Sequence, residues 1–189
     1  LAIGEVDLAR SAYKNIRKAA EKAVPRDKRM RFIQVMSHRV EDFKHGWKTV
    51  SGGRLSAMMQ LPERPDESWA VLYPLAYKAL VESRAPSFQV PPHFVYAIMR
   101  QESRYHPAMI SSMDAIGALQ MIPQTAILVG EDMGTPYDPE TFPDPRVGFP
   151  FTFRYMQLHD GLWKGQLALT AASYNAGPEP IRRWLRENE

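Results

Sequence analysis

Sixteen prolines cut this 189-residue chain into helix-length pieces. Proline suits a helix's first turn and disrupts its interior. The segments between the prolines carry apolar residues at the helical rather than the strand period. Over 1–24, Leu8, Ala12 (or Ser11), Asn15/Ile16 and Ala19/Ala20 recur near that period until Pro25 stops the run. A second helix is expected over 26–45, with Met30, Ile33, Met36 (or Ser37) and Val40 on one face, before Gly46 and Ser51-Gly52-Gly53. A short helix over 55–61 ends at Pro62 and Pro65. A longer one over 66–84 carries Trp69, Leu72, Leu75 (or Ala76) and Leu80, with Pro74 near its first turn or kinking it.

The proline-rich stretch 85–92 reads as a boundary. Helices are then expected over 93–105, over 123–129 with Gly130 as its stop, over 146–160 ended by Gly161, and over 165–175 ended by Gly177-Pro178. A surface loop fills 131–145, and a last helix carries Ile181, Trp184 and Leu185. A short hairpin within 106–120 is the one place for β structure. The fold class is therefore all-α, mainly helical.

Composition excludes several chemistries. With no cysteine there is no disulfide, thiolate metal site or Cys nucleophile. The histidines His38, His45, His93, His106 and His159 show no metal-ligand spacing, so no metal is expected. No run of about 18 apolar residues is present to cross a membrane. The start lacks a signal-peptide pattern, and opening on Leu1 reads as a fragment or processed form. Residues 1–60 carry 13 Lys/Arg against 6 Asp/Glu, and residues 61–189 carry 11 against 15. Such a basic N-terminal part suits an anionic partner or, more plainly, a solvated helical surface.

One residue breaks the pattern of the helix 93–105. Phe94, Ile98, residue 102 and Tyr105 fall on one face, and residue 102 is a glutamate. A carboxylate on a half-buried stripe must be paired, hydrogen-bonded or neutral. Desolvation raises its pKa, as a general acid near neutral pH requires. The alternative is a glutamate at the stripe's edge, reaching solvent or a helix N-terminus. Two further segments bear on the choice. In 111–126, Gly117 and Ala118 allow close backbone approach, and Gln120 offers an amide suited to an N-acetyl sugar. At 174–177, Tyr174 and Asn175 place a phenol, able to hold a carboxylate, and an amide at a helix end.

Three motifs carry a resemblance. They are Ala97-Ile98-Met99-Arg100-Gln101-Glu102-Ser103, then Gly117-Ala118-Leu119-Gln120-Met121-Ile122-Pro123 with Thr125-Ala126, then Ala172-Ser173-Tyr174-Asn175-Ala176-Gly177-Pro178. In order and spacing, residues 86–187 resemble the catalytic domain of the soluble lytic transglycosylases, which has a lysozyme-like fold. Tyr73-Pro74-Leu75-Ala76-Tyr77 is similar to the linker before that domain in the large members. The resemblance implies a helical N-terminal region and linker over 1–85, the end of an α-superhelix, and a catalytic domain over 86–189.

It also implies roles. Glu102 matches the catalytic acid/base, Ser103 supports the helix end, and Ser111 falls near the reacting sugar. Gln120 matches a substrate-binding glutamine, and Tyr174, with Asn175 in the same motif, orients the glutamate. The implied substrate is the glycan strand of bacterial peptidoglycan, with no cofactor, in the periplasm or cell envelope. The N-terminal helices could meet envelope proteins; nucleic acid is not expected. The chain departs from the family's Gly-Leu-Met-Gln at Ala118-Leu119, from its methionine at Ile122, and from its glycine at Asp114. Asp114 reads as a turn residue in left-handed backbone or as a second carboxylate. The latter would suit a goose-type lysozyme-like hydrolase. A catalytically silent glycan-binding or scaffold protein is the other alternative.

Overall fold

A computed structural model of the chain describes residues 3–40, 42–43, 72–107 and 109–188. The helix expected over 55–61, and Trp69 of the 66–84 helix, lie outside those residues. The described residues form helices and no strand, so the fold is all-α. The chain divides into two compact units, Leu1–Ala76 with Arg104–His106, and Tyr77–Ser103 with Pro107–Glu189.

In the first unit, α1 (Ile3–Ala23) and α2 (Arg29–Arg39) are joined by a turn that opens at Pro25. The α1 face differs from the expected one. Leu8 and Ile16 are exposed, whereas Tyr13 is buried, with Ala9, Arg10, Arg17 and Ala20 half-buried around it. The stripe has helical spacing but is rotated by one position. Arginine stems cover apolar surface while their heads find partners, and Arg10 Nε donates to the Val40 carbonyl at 3.1 Å. A face built this way carries little apolar signal in sequence. On α2 the expected Ile33, Ser37 and Val40 are buried. Phe43 meets Tyr105 edge-on at 6.3 Å.

The second unit begins with α3 (Lys78–Arg84), a 3₁₀ turn (Ala85–Phe88) and α4 (Pro92–Ser103). The helix expected over 66–84 is thus interrupted. Residues 73–77 are non-helical, and Tyr77 stands at φ 54 immediately before α3. The remaining helices are α5 (Pro123–Met133), α6 (Pro145–Leu162), α7 (Leu167–Ala176) and α8 (Pro178–Glu187). Four of the five helices from α4 onward open on a proline, as the sequence suggests; α7 opens on Leu167.

Gly130 does not end α5. The helix continues to Met133 and closes on Gly134 at φ 66. Gly130 is needed where it stands because a Cβ there would lie 2.4 Å from the Thr135 carbonyl oxygen. Helix α6 is the unit's central element. Gly148, Phe149, Phe151, Thr152, Phe153, Met156 and His159 are all buried, on most of its faces, as in a helix enclosed by its neighbours. Phe149 meets Tyr77 at 5.4 Å and Phe153 at 5.7 Å, and Phe142 meets Phe151 at 5.4 Å. Such pairs contribute about 0.5–1.5 kcal/mol each beyond area burial. Met121, Ala126 and Val129 complete the cluster around Phe142 and Phe151.

Candidate active site

Helix α4 places Glu102. Phe94, Val95, Ile98 and Met99 are buried and fix the face on which Glu102 sits half-buried. Burial raises the Glu102 pKa above the usual carboxyl value. The helix stops at Ser103, two residues before the expected end. Arg104 and Tyr105 follow at φ 52 and φ 65, so Tyr105 leaves the helical stripe. Left-handed backbone at two successive side-chain-bearing residues costs about 1–2 kcal/mol each, and such outliers cluster at functional sites.

The loop 109–121 lies against the end of α4. No strand pair forms there, only antiparallel bridges of Ile116 with Ile110 and with Met121. Gly117, at φ 84, allows the turn 117–120. Three successive carbonyls of this turn are each taken by a motif side chain. Gln120 Nε2 donates to Gly117 O at 2.8 Å and also to Met109 O at 3.0 Å. Ser103 Oγ donates to Ala118 O at 2.6 Å, and Tyr174 Oη donates to Leu119 O at 2.6 Å. Helices α4 and α7 are thereby tied to one short piece of backbone. Gln120, itself at φ 51, spends its amide nitrogen on its own loop, which leaves its amide oxygen to accept from a ligand.

Tyr174 is held on α7, and its hydroxyl is the enclosed end of a half-buried side chain. Its pKa is pushed well above the ordinary phenol value by burial, then by the charges of Glu102 and Tyr155. Glu102 and Tyr174 therefore share one environment. A phenol carries a single proton, and here it points to Leu119. That proton is therefore not directed at Glu102. This differs from a phenol that donates to a carboxylate.

The other expected residues fall into two groups. Ser103 is buried as a tie rather than open to solvent. Ser111 Oγ accepts from Met113 N at 3.1 Å and Ala115 N at 3.0 Å, which closes the 111–115 turn. Asn175 is exposed near the end of α7. Among the described residues, neither Ser111 nor Asn175 is hydrogen-bonded to Glu102, Gln120 or Tyr174. Asp114 is exposed at φ 58 in the 111–115 turn, the geometry of a turn residue.

Two residues that the sequence reading did not assign to the site adjoin it. Tyr155 of α6 stands edge-on to Tyr174 at 5.6 Å, and His159 stands edge-on to Tyr155 at 4.3 Å. His159 is buried, and burial depresses its pKa, which keeps the imidazole neutral. Their four-residue spacing on a helix is visible in sequence, but nothing there shows which way that face points. Chemically, the arrangement presents one desolvated carboxyl within electrostatic reach of a phenol whose proton is spent on Leu119, with Gln120 on the turn that also anchors Ser103 and Tyr174.

The Transglycosylase SLT domain profile matches residues 79–189. The soluble lytic murein transglycosylase of Escherichia coli (strain K12) is 30% identical over 115 residues, covering 60% of this chain and 18% of that protein. A putative soluble lytic murein transglycosylase of Haemophilus influenzae is 31% identical over 113 residues, covering 59% and 19%. The chain thus spans about a fifth of the length of these relatives. Among solved structures, the 70 kDa soluble lytic transglycosylase of Escherichia coli superimposes with a TM-score of 0.63 at 25% identity, covering 80% of this chain and 24% of that one. A complex of the 70-kDa soluble lytic transglycosylase with bulgecin A gives 0.66 at 22% identity, over 94% and 28%, a likeness of fold.

Proposed function

Because the chain belongs to the Transglycosylase SLT domain family, we propose that it cleaves the β-1,4 bond between N-acetylmuramic acid and N-acetylglucosamine in peptidoglycan, with Glu102 as its single acid/base. The observation that carries this reading is the Glu102–Tyr174 pair: a carboxyl whose pKa is raised by burial, beside a phenol whose proton is directed to Leu119. Burial favours the protonated acid that the first step uses, and the Tyr174 proton, spent on Leu119, is not given to the carboxylate.

In that step Glu102 gives its proton to the glycosidic oxygen as the C1–O bond breaks. The 2-acetamido group of the muramyl sugar supports the developing positive charge, so no protein nucleophile is required. The C6 hydroxyl then bonds to C1, and its proton passes to the ionised Glu102. The products are a free 4-hydroxyl and a 1,6-anhydro-muramyl end, water is not consumed, and Glu102 is again protonated. Gln120 supplies its amide oxygen to a sugar N–H or hydroxyl. Ser103 acts on the backbone that carries Gln120. The relatives' names place their action on murein, which supports a cell-envelope setting for this chain.

Glycosidases generally use two carboxylates, and a hydrolase would need a second one to activate water. The exposed turn position of Asp114 does not favour that role. The test is digestion of purified peptidoglycan by the native chain and by Glu102→Gln, with mass spectrometry of the muropeptide ends. Anhydro-muramyl ends from the native chain alone are expected. Reducing ends would make it a hydrolase.

A further inference from the structure

We propose that Tyr155 is a positioning residue for this site: its ring holds the Tyr174 phenol where that hydroxyl reaches Leu119 and faces Glu102. The inference rests on the assignment of Glu102 and Tyr174 to catalysis made above. It begins from the contacts on each side of Tyr155. On one side its ring meets Tyr174 at 5.6 Å and 61°, an edge-to-face arrangement that resists rotation of either ring. On the other it meets the His159 imidazole at 4.3 Å and 78°. Behind it lies the cluster of Met121, Ala126, Val129, Phe142 and Phe151, against which Tyr155 packs while remaining half-exposed.

The chain of contacts therefore runs from core to Tyr155 to Tyr174, and the Tyr174 hydroxyl senses the charge of Glu102. Tyr174 makes one hydrogen bond through its hydroxyl, and one bond at the tip of a ring does not fix the ring's tilt. The edge of Tyr155 supplies the second point of restraint. His159, buried and one turn along the same helix, braces the Tyr155 ring in turn. The ionisable groups brought to Tyr174 are Glu102 from α4 and Tyr155 from α6. Removing the Tyr155 ring opens a path for water toward both Tyr174 and Glu102. Their charged forms would then be better solvated, and the Glu102 pKa would fall toward the ordinary carboxyl value.

The test compares Tyr155→Phe, which keeps the ring, with Tyr155→Leu, which removes it. For each folded variant, kcat and KM are measured on peptidoglycan. Independently, Glu102 is titrated through its side-chain carboxyl ¹³C signal without substrate, assigned with Glu102→Gln. Tyr155→Phe should stay within about twofold of the native kcat. Tyr155→Leu should lose about tenfold or more in kcat with KM within about twofold, because misplacing a catalytic group affects the chemical step. Its Glu102 midpoint should move down. A Tyr155→Leu protein with native kcat and an unmoved Glu102 midpoint overturns the inference. So does a Tyr155→Phe protein as impaired as Tyr155→Leu, since the hydroxyl and not the ring would then matter. If the native chain yields no product, the functional reading fails, while the carboxyl titration still decides whether Tyr155 governs Glu102.

Discussion

Helix α6 runs through two regions with opposite priorities. Its first half, 145–153, presents Phe149, Phe151 and Phe153 to an aromatic core, with Gly148 pressed against the Phe142 carbonyl. Its second half presents Tyr155 and His159 to the site, where buried polar groups have incomplete partners: His159 Nδ1 has none. The first half gains from close packing. The second accepts the cost of burying polar atoms without full compensation. Substitutions in the first region should therefore act on stability, and in the second Tyr155, which meets Tyr174, should act on rate while His159 acts through pH.

The largest expected effect is Glu102→Gln. It should lower kcat on peptidoglycan by about a thousandfold, within the range for losing a general acid. It should also raise the melting temperature at neutral pH. Because folding raises the Glu102 pKa, the folded state binds more protons than the unfolded one between the ordinary and the raised value. Native stability relative to the glutamine variant should fall as pH rises through that window and level off above it. Thermal melts across pH would show this. A rate-neutral or destabilised glutamine variant would break the comparison.

Next is Tyr174→Phe, which keeps the ring and deletes the hydroxyl. A loss of about ten- to a hundredfold in kcat is expected, together with about 1–3 kcal/mol of stability for the stranded Leu119 carbonyl, read by denaturant unfolding. In the core half, Gly148→Ala should lose about 1–3 kcal/mol or fail to fold, because the new Cβ would sit 2.6 Å from the Phe142 carbonyl oxygen. Its kcat per folded molecule should be unchanged; a rate defect at full stability would erase the division along α6.

His159 sharpens the comparison through pH. Its folded pKa is depressed below the ordinary 6.5, so the stability it contributes is present above 6.5 and lost as pH falls toward the folded value. Melts of His159→Phe and native protein should diverge in that acidic window. The smallest effect is expected for Asp132→Asn. The Asp132–Arg154 contact at 2.6 Å is at the surface and screened by solvent. No measurable change in melting midpoint or rate should follow.

How far these features can be read from the sequence depends on what made them. The helices opened by Pro92, Pro123, Pro145 and Pro178 are legible because proline acts locally. Glu102 is legible because a charge interrupts an apolar period. The rotated face of α1 is not, since arginine stems do part of the covering. The continuation of α5 through Gly130 is not, since the reason for that glycine is a carbonyl five residues on. Tyr155 and the direction of the Tyr174 proton depend on which helices meet, and such tertiary facts leave no trace in spacing.

The Tyr174 bond is addressed to the main chain, and every amino acid carries the oxygen it uses. Replacing the side chains at 118 and 119 therefore cannot delete the acceptors for Ser103 and Tyr174. Both side chains are themselves buried, so substitutions there act on local packing while the two carbonyls stay in place. The vulnerability moves to Gly117, where the turn itself is made. At 118 and 119 the side chains serve packing and the carbonyls serve anchoring, two duties carried by different atoms of the same residues.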